Sequence, residues 1–174
     1  MTLIVETGSG SASAESYVSV AQADLYHSSR GVVSWAALSE PDKEGALRRV
    51  CDYLTAAYRL RWAGSRKTLT QALDWPRSLV PVKDAPGEYG SSAAFYADSV
   101  VPPELLAASC ALSLRAATGP LIEDQERAVT SVTVGPISTS YDKGSSQSKR
   151  YPEIDATLRP LLKTGTRQIP LVRV

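Results

Sequence analysis

The stretch from Pro102 to Pro120, PPELLAASCALSLRAATGP, constrains the fold more than any other part of the chain. Paired prolines suit the first turn of a helix, and Gly119 with Pro120 suits its end. Between them Leu105, Leu106, Cys110, Ala111, Leu112 and Leu114 leave hardly a polar face. Such a helix must be covered on nearly every side, which places it at the centre of a bundle and obliges the remaining chain to form a shell.

The shell is clearest upstream, in SEPDKEGALRRVCDYLTAAYRLRW. Ser39 with Asp42 three residues on resembles a capping box, with Asp in place of Glu or Gln, and Pro41 fits the first turn. Leu47, Val50, Cys51, Leu54, Ala57 and Tyr58 recur at helical spacing as one apolar stripe, while Lys43, Arg48, Arg49, Asp52 and Arg59 mark the opposite face. Ser19 is placed to cap a shorter helix running through Ala23 and Tyr26 toward Gly31. A brief helix is expected in TLTQALD, stopping near Asp74 because Pro76 disfavours the α conformation at Trp75. Trp75, Pro76 and Arg77 read as a structural anchor at a chain corner, the indole bringing a large apolar area and one N–H that needs a partner. Residues 79–101 read as a long loop.

Past Val129 the composition turns to β-branched and aromatic residues. Val132, Val134, Ile137, Thr139 and Tyr141 flank Gly135-Pro136, the pattern of a β-hairpin at about 129–142. A basic loop follows at 143–150, then a last helix, PEIDATLRPLLK, with Ile154, Leu158, Leu161 and Leu162 on one side and a kink at Pro160. The fold class expected is mainly α: a helical bundle of four to five helices with a protruding β-hairpin and extended N- and C-terminal arms. Its organisation is an N-terminal arm over 1–18, the bundle over 19–163, and a C-terminal tail over 164–174.

Composition excludes more than it selects. A formal charge of +1 is not that of a uniformly basic nucleic-acid binder, although 143–174 holds seven Lys or Arg against Glu153 and Asp155. Cys51 and Cys110 lie in apolar helical stripes and are expected as buried thiols. The one histidine, His27, has Asp24 three residues before it but no nucleophile elbow, and is expected at the surface or edge of its helix. Zinc spacing, a phosphate loop and a dinucleotide fingerprint are missing, and the acidic cluster Glu123, Asp124 and Glu126 lacks calcium-loop spacing. Neither a catalytic activity nor a cofactor or metal is expected. No stretch approaches the roughly 18 apolar residues of a membrane span, and no membrane partner is expected. The N-terminus has no basic region ahead of an apolar core, so synthesis and use in the cytoplasm are expected.

Two surfaces remain as candidates for contact. The stretch RLRWAGSRK gathers Arg59, Arg61, Trp62, Arg66 and Lys67, and with Lys149 and Arg150 of the basic loop it is a candidate DNA-contacting set. The bland reading is a helix C-terminus whose cations suit the dipole, with Trp62 turned inward, and it is the favoured one. The hairpin residues Val132, Val134, Ile137 and Tyr141 and the tail TGTRQIPLVRV are appendages without an obvious internal partner, as expected of segments that meet other chains.

Several segments taken in order, IVETGSGSASAESYVSVAQAD, WAALSEPDKEGALRRVCDYL, QALDWPRS, VPPELLAASCALSLRA and VTVGPISTSYD followed by YPEIDATLRPLL, resemble the tailed-phage head-tail connector (adaptor) proteins, a group also catalogued as DnaT-like single-stranded-DNA-binding proteins. The likeness covers nearly the whole chain and is weakest over 83–101. It implies a ring, usually of twelve subunits, docked beneath a portal protein, extending the channel for duplex DNA and meeting a stopper or tail-completion protein. On that resemblance Arg167, Ile169, Leu171, Val172 and Arg173 would bind the portal and the hairpin would face neighbouring subunits in the virion neck. The DnaT-like label implies the alternative, a protein that holds single strands.

Overall fold

The computed structural model describes residues 2–85, 94–122, 131–134, 137–140 and 149–163, and it is mainly helical. Helix α4, Pro103–Thr118, is the central element the sequence requires. Leu105, Ala108, Ser109, Cys110, Leu112, Ser113 and Ala116 are buried, and only Pro103 and Thr118 of the helix are exposed. It packs against α1 (Val20–Ser28), α3 (Glu40–Tyr58) and α5 (Pro152–Leu158). The shell helices bring their apolar stripes inward: Leu47, Val50, Cys51, Leu54 and Tyr58 from α3, Ile154 and Leu158 from α5.

Caps fix where the shell helices begin. Ser19 accepts from the Gln22 amide while the Gln22 side chain accepts from the Ser19 N–H, a reciprocal capping box on α1. On α3 the arrangement differs from the expected box. Ser39 accepts from the Asp42 N–H, but the Asp42 carboxylate accepts from the Ser39 hydroxyl at 2.6 Å. One methylene fewer than Glu leaves the carboxylate nearer the hydroxyl than the backbone. Gly31 takes φ +69° just past α1, the left-handed geometry a glycine allows.

The segment between α1 and α3 holds a four-residue helix that sequence periodicity is too short to register, α2 (Val33–Ala36). Its Trp35 is fully buried and donates to Asp24 Oδ1 at 2.7 Å. The brief helix expected in TLTQALD is not formed. Thr68 and Gln71 instead exchange bonds, Thr68 N–H to Gln71 Oε1 and Gln71 N–H to Thr68 Oγ1, and the Ala72 N–H goes to the Ser11 carbonyl. With these amides committed to side chains and to the N-terminal loop, the i to i−4 ladder loses its donors.

Two-residue strands β1 (Ser65–Arg66) and β2 (Arg77–Ser78) pair antiparallel and close the excursion that carries the Trp75-Pro76 corner, where the peptide bond is cis. The long loop is paired at its base: Pro81 bridges Phe95, flanked by Val82 N–H to Ala94 O and Tyr96 N–H to Val80 O. Strands β3 (Ser131–Val134) and β4 (Ile137–Ser140) form the hairpin with Val134 opposite Ile137. Helix α5 passes into a 3-10 turn, Arg159–Leu161, so Pro160 ends the α geometry where a kink was expected.

Residues 2–18 are tied to the body. The Glu6 carboxylate, 2% accessible, accepts from the N–H groups of Gly8, Gly10 and Ser11 at 2.8, 3.0 and 2.8 Å. Gly8 has φ +103°, and a Cβ there would collide with the Ser99 carbonyl, so the loop needs a glycine at that contact. Tyr17 and Val18 enter the core beside α3.

Candidate nucleic-acid interface

Helix α3 ends because the chain turns at Arg59–Arg61 to pair with the end of α5's extension. Trp62 bridges Leu162, with Ala63 N–H to Leu161 O at 3.0 Å and Lys163 N–H to Arg61 O at 2.8 Å. This pairing decides the fate of the cluster RLRWAGSRK. Trp62 is fully buried, 5.5 Å from the Tyr58 ring and edge-on to Trp75 at 5.9 Å. Trp75 is buried as completely, and neither indole N–H has a partner among the described residues. Both rings are core.

The corner that holds them is ionic as well as aromatic. Arg77, 6% accessible, donates to the carbonyls of Ala63 (2.7 Å), Gly64 (2.8 Å) and Asp74 (3.2 Å). Burial pushes its pKa down, opposed mainly by the nearby Asp74 charge. Asp74 is itself buried and takes Arg59 Nε on Oδ1 at 2.8 Å, while Tyr17 OH accepts from the Asp74 and Trp75 amides. One buried carboxylate thus links the corner to the surface cation Arg59.

The cations of the stretch divide into two groups. Arg66 donates to the Gln71 carbonyl, and Lys67 to the Gly8 carbonyl at 3.2 Å, so both are half-buried in the folding of the 67–76 excursion. Arg59 and Arg61 are exposed. Arg61 lies over the Tyr58 ring at 4.6 Å and reaches Asp155 Oδ1 at 3.2 Å, where the Tyr58 hydroxyl also donates at 2.9 Å. Burial, with that carboxylate beside it, raises the Tyr58 pKa well above its usual value.

Folding brings to Arg59 and Arg61 three exposed cations from distant sequence. Lys163 Nζ donates to Leu60 O at 3.2 Å, and Lys83 Nζ donates to Arg159 O and Leu162 O at 3.2 and 3.0 Å. Arg159 is exposed on the same turn. The result is a basic shoulder of Arg59, Arg61, Lys83, Arg159 and Lys163 around the exposed Leu60, with Asp155 half-buried among them and Asp84 beside Lys83. Lys83, Arg159 and Lys163 escaped the sequence reading because no local window contains them. The antiparallel bridge between 62 and 162 brings in Arg159 and Lys163, and Lys83 arrives through its side-chain bonds to the same turn.

The other sequence-derived candidates lie on other segments of the chain. Lys149 and Arg150 are exposed just before α5. Tyr141, the tail residues Arg167, Ile169, Leu171, Val172 and Arg173, and the acidic cluster Glu123, Asp124 and Glu126 lie outside the described residues. The backbone of Val132, Val134 and Ile137 lies in the hairpin ladder. Expected at an edge, His27 is instead buried, because Ser113 of α4 sits 2.9 Å from its Nε2 and Trp35 covers the ring at 4.8 Å. Asp24 turns away from it to Trp35 and to Lys43 at 2.9 Å, so these two residues do not form a dyad. Cys51 and Cys110 are free and buried, their thiol pKa values pushed up by burial to about 12 and about 11. Such thiols are poor nucleophiles. Among the described residues no His, Cys, Asp or Glu group could hold a metal ion, and no helix is long and apolar enough to cross a membrane.

A family model described as "Putative DnaT-like ssDNA binding protein" matches residues 1–174. No curated protein and no solved structure matches the chain.

Proposed function

Because the chain belongs, over its whole length, to the family of DnaT-like single-stranded-DNA-binding proteins, we propose that it acts by binding DNA and catalyses no reaction. The full-length family match carries the reading. The basic shoulder supports it: five exposed cations from three separated segments, gathered by the 62–162 pairing and by the Lys83 side-chain bonds. Cations so arranged attract phosphates and release counterions, which makes the affinity fall steeply with salt. The test is fluorescence anisotropy of a labelled single-stranded oligonucleotide titrated with the protein at two salt concentrations. Saturable, salt-sensitive binding is expected; a flat titration at low salt would remove the reading.

A second reading is a head-tail connector subunit that joins a ring beneath a portal in the virion neck. The exposed side chains of Leu60, Leu69, Leu79 and Phe95 favour it, since a ring interface would cover apolar surface that a monomer leaves in water. Light scattering after size exclusion decides it. A discrete ring, alone or with the cognate portal protein, supports assembly, and a monomer that ignores portal speaks against it.

A further inference from the structure

We infer that the basic shoulder reads the phosphodiester backbone alone, its described residues offering no platform for base stacking, so that duplex and single-stranded DNA are both ligands. The inference rests on the DNA-binding reading above and narrows how that binding works. Preference for single strands comes from aromatic faces on which unpaired bases stack. Among the described residues the large aromatic rings near the shoulder are committed elsewhere. Trp62 and Trp75 are completely buried, and Tyr58, 1% accessible, has its ring covered by the Arg61 guanidinium. Trp35, Tyr17 and Tyr53 are core residues as well. Tyr26, Tyr96 and Tyr151 are half-buried, and Phe95 is the one aromatic exposed among the described residues. A single ring cannot form a platform for successive bases.

What the shoulder does present is charge on a rigid frame. Arg61 and Lys163 are locked together by a backbone hydrogen bond, and Lys83 is held by two carbonyls of the neighbouring turn. Leu60 between them adds aliphatic surface without a π face. Recognition of this kind carries no information about base sequence and does not require unpaired bases. With five cations the site neutralises at most about five phosphates, giving limiting log–log salt slopes of about −3.5 for single strands and about −4.5 for duplex. Raising salt from 50 to 200 mM would then weaken the two complexes by at most about 100-fold and about 500-fold.

The experiment titrates the full chain with a fluorescein-labelled single-stranded 30-mer and with the duplex of the same sequence, following anisotropy and intrinsic tryptophan emission. The paired variant R159Q/K163Q, the control R30Q/R49Q with the same charge change, and F95A are run beside it. The expected result is binding of both ligands within about tenfold of each other, with tryptophan emission unmoved. R159Q/K163Q should flatten both salt slopes by one to two units, and the control and F95A should not. A strong preference for the single strand with quenched tryptophan, or its loss in F95A, would overturn the inference while leaving DNA binding intact. Salt slopes unchanged in R159Q/K163Q would place the contact elsewhere and overturn it too. If neither ligand binds at 50 mM salt, the DNA-binding reading itself fails.

Discussion

Replacing Arg77 by alanine should destabilise the protein more than any surface substitution, and the size of the effect can be worked out bond by bond. The guanidinium serves three carbonyls, those of Ala63, Gly64 and Asp74. Gly64 is exposed, so its carbonyl can turn to water when the donor is removed. Ala63 and Asp74 are buried, and each orphaned carbonyl there costs about 1–3 kcal/mol. Against this stands the relief of a desolvated cation, the same burial that lowers the Arg77 pKa. The net loss expected is about 3 kcal/mol, within the range for removing one partner of a buried charged network. In urea unfolding this moves the midpoint down by roughly 1–3 M at an unchanged slope. Arg77→Lys keeps the charge but not the fork and should fall between the two. An R77A midpoint within experimental error of the parent would refute the claim that this side chain holds the corner, whatever its crowded surroundings.

Glu6→Gln should cost about 2 kcal/mol, because the carboxylate receives three backbone N–H groups and an amide can turn only one acceptor toward them; thermal unfolding checks it. His27 should make stability fall on mild acidification. Burial lowers its pKa below the ordinary 6.5, so the unfolded chain binds the proton first, and the stability present above about pH 6.5 is lost as pH falls toward the folded value. Urea midpoints at pH 7.5 and 5.5 should differ for the parent and converge for His27→Gln, since His27 is the only histidine; Glu15 and Asp24, both with lowered pKa values, respond at more acid pH.

What could be read from sequence follows from the range of the signal. Helices α3 and α4 announce themselves because their apolar residues recur over many turns, and Ser19 and Ser39 mark starts by local chemistry. The four residues of α2 are too few for a period, and its anchor Trp35 depends on Asp24 eleven residues away. The N-terminal run GSGSASAES is too small and polar to fold alone, and it is the glutamate ahead of it that collects its amides. In TLTQALD a helix-compatible pattern lost to side chains that bind the backbone locally, a competition that periodicity does not register. The shoulder was half legible: Arg59 and Arg61 stand exposed in a visible cluster with the half-buried Arg66 and Lys67, whereas Lys83, Arg159 and Lys163 arrive only through the fold.

The link between corner and shoulder gives a perturbation whose two effects have opposite signs. Asp74 holds Arg59 through Nε, and its other oxygen, Oδ2, has no partner among the described residues. Asp74→Asn keeps the shape, removes the charge facing Arg59 and weakens the environment of the buried Arg77. Stability should fall by about 1–3 kcal/mol as a charge-assisted acceptor becomes a neutral one. If the shoulder binds phosphate, the same change removes a competing anion beside a half-exposed guanidinium and DNA affinity at low salt should rise a few-fold. A purely structural role for Arg59 predicts lower stability with unchanged or weaker binding. The two readouts, urea midpoint and anisotropy titration on one variant, therefore separate an arginine that serves DNA from one that serves only the corner, and a fall in both would remove Arg59 from the interface.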